Sequence, residues 1–76
     1  MRKTNEKWTG EIVGRLHTIN VTQKEFAVRC GYSPTYLCMV LNGRKQFESE
    51  YAKKFTMRRL FAALELLEKD VRDGRF

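Results

Sequence analysis

Histidine and proline occur once each in these 76 residues, and cysteine only twice. A structural zinc site needs four nitrogen or sulfur ligands, and Cys30, Cys38 and His17 cannot supply them; there is also no CxxC pair. No metal is therefore expected. Two cysteines are not a disulfide framework, which points to a reducing compartment, with Cys30 acting as a small core hydrophobe. His17 has no neighbouring nucleophile or second base, so it reads as a partner for a helix C-terminus or as a surface residue. The sequence also lacks a phosphate-cradling glycine loop, a carboxylate pair at catalytic spacing, an internal repeat and a low-complexity segment. Enzymology, a cofactor and a small-molecule substrate are not expected. No apolar run is long enough to span a bilayer, and no signal peptide is recognisable, so the expected location is the cytoplasm, away from membranes.

Positive charge is abundant. Fifteen Lys and Arg against nine Asp and Glu give a net charge of +6, which calls for a polyanionic partner. On charge alone that partner is nucleic acid, an anionic membrane surface or an acidic protein. A chain of this length makes one domain, residues 1–76, with a core small enough to need good packing or oligomerisation.

The most strongly patterned stretch is VTQKEFAVRCGYSPTYLCMVLNGRK, from Val21 to Lys45. Thr22 is an N-cap with Glu25 as its capping-box partner, and Val21 can staple onto Phe26. A helix therefore starts at about Gln23, buries Phe26, Ala27 and Cys30 on one face, and stops before Gly31. Ser33 is a second N-cap, Pro34 suits a first helical position, and the second helix runs to Asn42 and Gly43. Two helices joined by so short a turn must cross steeply, as in a helix-turn-helix that presents its second helix to the DNA major groove. At 100° per residue, Leu37, Val40 and Leu41 lie on one side of that second helix, and Thr35, Cys38, Met39 and Asn42 on the other. An outward face without charge suits base edges, where apolar groups can touch thymine methyls. The competing readings are ordinary surface scatter and packing against the C-terminal helix.

The run TQKEFA, then Gly31, SPTYL and LNGRK, resembles the Cro and phage-repressor helix-turn-helix, the lambda-repressor-like or xenobiotic-response-element family, and in particular its small phage and mobile-element regulators. The resemblance covers about a third of the chain closely, and WTGEIVGRLHTINVT extends it upstream. It implies a phosphate contact for Gln23, base contacts for Pro34, Thr35 and Met39, a groove-edge place for Tyr36, and backbone contacts for Asn42, Arg44 and Lys45. Ser33 and Cys38 complete the DNA-facing set. Phe26 stands where Leu is commoner, which alters packing. Cys38 and Met39 replace residues that are often polar, which leaves the operator sequence open.

Before the motif, Trp8, Ile12, Leu16 and Ile19 recur at spacings of four, four and three, one face of a helix from about Glu6 to His17. Gly10 and Gly14 weaken it unless they allow a close helix approach. The polar start, Met1 to Asn5, reads as fraying or as an arm along a phosphate backbone. After a loop, a helix from about residue 49 to 71 carries two apolar stripes. One holds Tyr51, Ala52, Phe55, Ala62 and Leu66; the other holds Met57, Leu60, Phe61, Leu64, Leu67 and Val71. Either one stripe closes the core and the other is a partner surface, with Leu60, Phe61, Leu64 and Leu67 expected at a dimer interface, or the helix breaks near Thr56 and both pack inward. Arg58 and Arg59, with Lys53 and Lys54, read as a solvated or DNA-flanking rim, and Asp73 to Phe76 as a disordered tail.

The expected protein is an all-α bundle of four or five helices around a helix-turn-helix. It would act as a sequence-specific, double-stranded DNA-binding repressor, working as a homodimer by promoter occlusion. The alternative is a helical interaction module, antitoxin-like or a phage accessory protein, that works through its C-terminal helix. A basic amphipathic helix on a membrane surface fits less well, because the cations are spread along the chain.

Overall fold

A computed structural model describes residues 7–75; the expectations for Met1–Asn5, for a helix start at Glu6 and for Phe76 lie outside them. Four helices account for the described fold: α1 (Lys7–Thr18), α2 (Gln23–Cys30), α3 (Pro34–Leu41) and α4 (Glu50–Arg72). The boundaries follow from the caps. The Thr22 hydroxyl accepts the Glu25 amide at 3.1 Å while the Thr22 amide donates to the Glu25 carboxylate at 3.0 Å, so both halves of the capping box are present. Ser33 and Ser49 accept from the third residues of α3 and α4, Tyr36 and Ala52, each at 3.1 Å.

All four helices stop in the same way, with one residue in the left-handed region: Asn20, Gly31, Gly43 and Gly74. Beyond α2, Tyr32 N–H reaches back to the Ala27 carbonyl at 3.1 Å, and beyond α3, Arg44 N–H reaches Met39 at 2.8 Å. These are the six-to-one bonds of a Schellman ending, which satisfy carbonyls that the helix itself cannot. The same ending orders the chain after α4. Arg75 N–H donates to the Asp70 carbonyl at 2.7 Å and its guanidinium pairs with the Asp70 carboxylate at 3.2 Å. The segment read as a disordered tail is therefore structured as far as Arg75.

Both α3 and α4 pack on α1 and α2. The core joins Ile12 and Leu16 of α1, Phe26, Ala27 and Cys30 of α2, Leu37, Val40 and Leu41 of α3, and Leu60, Leu64 and Leu67 of α4, with Val21 stapled beside Phe26. Two ion pairs lash α4 to the helices beneath it. Arg15 grips Glu68 through two nitrogens, at 2.6 and 2.9 Å, and Arg29 meets Asp70 at 2.7 Å.

Two expectations about the last helix are corrected. It does not break at Thr56, which lies buried within an uninterrupted α4. Its Leu-rich stripe is no dimer surface: Leu60, Leu64 and Leu67 are fully buried within the chain and Phe61 packs partly against the same core. The physical reason is packing. Leu60, Leu64 and Leu67 close the core that α1 to α3 contribute, so their apolar surface is removed from water within the chain itself. The other stripe, with Tyr51, Phe55 and Leu66, is the exposed one.

The alternative role for the α1 glycines, close helix approach, also fails. A Cβ at Gly10 or Gly14 would meet no atom within 4 Å, so their only effect is to loosen the helix.

Candidate functional site

Helix α3 divides as its wheel requires. Leu37, Val40 and Leu41 enter the core, while Thr35, Cys38 and Asn42 are exposed and Met39 is 39% exposed. Ser33 and Pro34, also exposed, continue this surface at the start of the helix. No side chain of α3 is charged. Thr35 and Met39 are one turn apart, about 6 Å along the axis, so both can reach one neighbourhood on a ligand. At the far end the Asn42 amide donates to the Cys38 sulfur at 3.0 Å, which fixes that side chain against its neighbour.

The chain leaving α3 is held close. Arg44 and Lys45 both donate backbone N–H bonds to the Met39 carbonyl, at 2.8 and 3.2 Å. Arg44 is exposed, whereas the Lys45 ammonium lies 5.7 Å from the Tyr36 ring centre and 5.9 Å from that of Phe47. Tyr36 packs against Tyr32, ring centres 4.9 Å apart, and the Arg59 guanidinium lies 4.9 Å from the Tyr32 ring centre. Arg59 also donates through Nε to the Cys30 carbonyl at 3.1 Å. Lys45, Tyr36, Tyr32 and Arg59 are thus linked by successive contacts from the end of α3 to the middle of α4, and cation–π attraction orients each cation without neutralising its charge.

Arg59 is exposed, as expected of a solvated or DNA-flanking rim, and it also has partners that the sequence does not indicate. It caps the end of α2, because an unsatisfied helix-end carbonyl and an electron-rich ring face both favour a guanidinium. Tyr32 and Phe47 were not foreseen as part of the site. Tyr32 precedes the N-cap of α3, so no helical spacing links it to Tyr36 in the sequence. Beside it lies an open groove of about 370 Å³, lined by Tyr32, Tyr36, Lys45, Phe47, Tyr51 and Phe55.

Gln23 is half-buried at the first position of α2, next to a second shallow groove of about 250 Å³ that it shares with Val13, His17 and Asn20. The capping box occupies the Glu25 amide, which leaves the Gln23 and Lys24 amides at the helix start without an intrahelical partner. Such amides, at the positive end of the helix dipole, suit an anion.

Acid–base chemistry in the structure is conservative. Burial pushes the Cys30 thiol up to about 11, against the pull of the Arg59 charge, so it stays protonated and unreactive at neutral pH. The hydrogen bond from Arg15 holds the Glu68 carboxyl below the ordinary carboxylate range, and the one from Arg29 does the same for Asp70. Among the described residues, no group of three or more His, Cys, Asp or Glu could hold a metal ion, and no helix is long and apolar enough to cross a membrane.

No family model, curated protein or solved structure matches the chain. The class the structure itself defines is an all-helical four-helix globule, and its functional reading rests on the α3 surface and its cationic flanks.

Proposed function

We propose that the chain is a sequence-specific, double-stranded DNA-binding regulator of the lambda-repressor-like type, with α2 and α3 as its helix-turn-helix. The observation that carries this reading is the exposed face of α3: uncharged, partly apolar, and followed at once by Arg44 and Lys45 in a chain of net charge +6. A helix bearing such a face in water gains little from it. In a major groove, Thr35 can exchange a hydrogen bond with a base edge and Met39 can pack on a thymine methyl.

The remaining roles follow from position. Pro34, at the start of α3, and Cys38 lie beside those readers, with Tyr36 at the groove edge. Gln23 and the free amides at the start of α2 take one phosphate, while Arg44, Lys45 and Asn42 take others, which fixes register but not sequence. The mechanism is occlusion: a small protein seated on an operator of phage or mobile-element type excludes polymerase from an overlapping promoter. The rival reading, an interaction module working through its C-terminal helix, draws on the exposed stripe of α4. That stripe is equally open to a second copy of the chain, so its exposure does not favour the rival.

Binding to fragments recovered from genomic DNA tests the proposal directly. The expected log K falls with log salt at about −0.9 per phosphate contacted. Arg44→Ala should reduce the slope by about one contact and weaken all sequences alike. A slope near zero for the parent protein would remove DNA from the account.

A further inference from the structure

Positive charge and aromatic rings are concentrated in one part of the molecule. From Arg44 to Arg59 there are six Lys and Arg against two Glu, which is +4 of the chain's net +6 within 16 residues. Of the two carboxylates, Glu50 is met by Lys53 at 4.0 Å, and Glu48 stands exposed at the groove of about 370 Å³. The rings gather on the same groove. All three Tyr and two of the five Phe line it: Tyr32, Tyr36, Phe47, Tyr51 and Phe55. Tyr51 and Phe55, 79 and 54% exposed, stand one turn apart on α4, about 6 Å along its axis, and offer ring faces to solvent.

The floor of the groove is polar. Thr56 lines it while only 5% exposed, and its hydroxyl makes no hydrogen bond among the described residues. A buried hydroxyl without a partner is unfavourable, and an acceptor on a bound molecule would relieve it.

We propose that this groove binds a single strand of nucleic acid, with bases stacked on its rings and phosphates held by the cations around them. Exposed rings set among positive charges are what a single strand recognises, since every base has a flat π-face and every linkage an anion. Lys45 combines the two: its ammonium lies 5.7 and 5.9 Å from the Tyr36 and Phe47 ring centres and has no ion pair among the described residues. Arg44, Lys54 and Arg58 are exposed and also without an ion pair there. A duplex cannot fill this role, because its bases are stacked on one another and show only their edges. An acidic peptide would match the charge and leave the rings without flat partners. The proposal does not rest on base reading by α3, although it shares Tyr36 and Lys45 with that surface.

Fluorescence anisotropy of a labelled oligothymidylate of about 12 nucleotides, titrated with the full chain, tests the proposal, because stacking tolerates any base. The expected log K falls with log salt at about −0.7 per phosphate contacted. Tyr51→Leu and Phe55→Leu keep an apolar side chain but remove the flat face, and each should weaken binding at least about fivefold. Tyr51→Phe keeps the ring and should bind as the parent does. Both positions are exposed, so the core is untouched, and circular dichroism checks that each variant keeps its fold. Polyphosphate, which supplies the charge without bases, should displace the oligonucleotide poorly. Absence of binding at low salt overturns the proposal. So does a complex that both Leu variants leave unchanged or that polyphosphate matches, since charge alone then accounts for it. Self-association of the free chain that Tyr51→Leu abolishes, read by sedimentation, would give the groove to a second copy and overturn it as well. Failure of the duplex reading is distinguishable. Thr35→Ala should leave the oligothymidylate affinity as it was, and a chain that holds oligothymidylate through its rings while selecting no duplex sites keeps this proposal and removes the operator.

Discussion

Gly31 carries more than a helix stop. Its φ is +81°, which strains any side chain, and a Cβ there would lie 3.0 Å from an Arg59 guanidinium nitrogen, which would have to give by a few tenths of an ångström. Gly31→Ala should destabilise the fold by about 1–2 kcal/mol, seen as a lower urea midpoint at unchanged slope. The sequence announced the glycine, because a left-handed ending has a local signature. It did not announce Arg59, whose carbonyl and ring lie 29 and 27 residues away in the chain. Cys30 and Cys38 divide the same way. Labelling with a thiol reagent at neutral pH should modify exposed Cys38 quickly and Cys30 only on unfolding, because burial holds the Cys30 thiol at about 11. Equal labelling of both in the folded protein would mean that α2 does not bury Cys30 as described.

At the scale of elements, helix starts were the most legible feature. Thr22, Ser33 and Ser49 each cap the helix that their sequence context indicates, because an N-cap is a contact between residues three apart. Helix α1 is the weak element, since two exposed glycines cost helical stability and nothing packs against them. Gly10→Ala and Gly14→Ala should each stabilise the protein by up to about 1 kcal/mol, measurable by thermal melting. The inward stripe of α4 was not legible. Both stripes are apolar, and the choice between them depends on the surface that α1 to α3 jointly present, which no window of local sequence contains.

The pairs that hold α4 down also set its pH response. Glu68 and Asp70 stay ionised to lower pH in the folded chain than in the unfolded one. Their contribution is therefore complete above about pH 4 to 5 and is lost as pH falls through the depressed folded values. Glu68→Gln should flatten the acid limb of the stability curve and cost about 1 kcal/mol at neutral pH. An unchanged acid limb would show that the Arg15 pair contributes nothing.

For the whole molecule, the excess of positive charge and the cap signals indicated a small helical domain with a polyanionic partner, and the described chain is all-helical, with four helices. The exposed face of α3 was legible because the helix is short and amphipathic, so a wheel assigns its faces. The aromatic and cationic cluster from Lys45 to Arg59 was not, because it joins three elements. The central claim is that the outward face of α3 reads bases. The most direct measurement is a selection of preferred DNA sites by the parent, Thr35→Ala and Met39→Ala proteins at one fixed salt concentration. The parent should recover a consensus, and each variant should lose stringency at one or two adjacent base pairs. Each should bind the cognate site about 1–3 kcal/mol more weakly and random DNA as before, with the salt slope unmoved. If all three proteins recover the same consensus with the same stringency at every position, α3 is not the reading element and the account is contradicted.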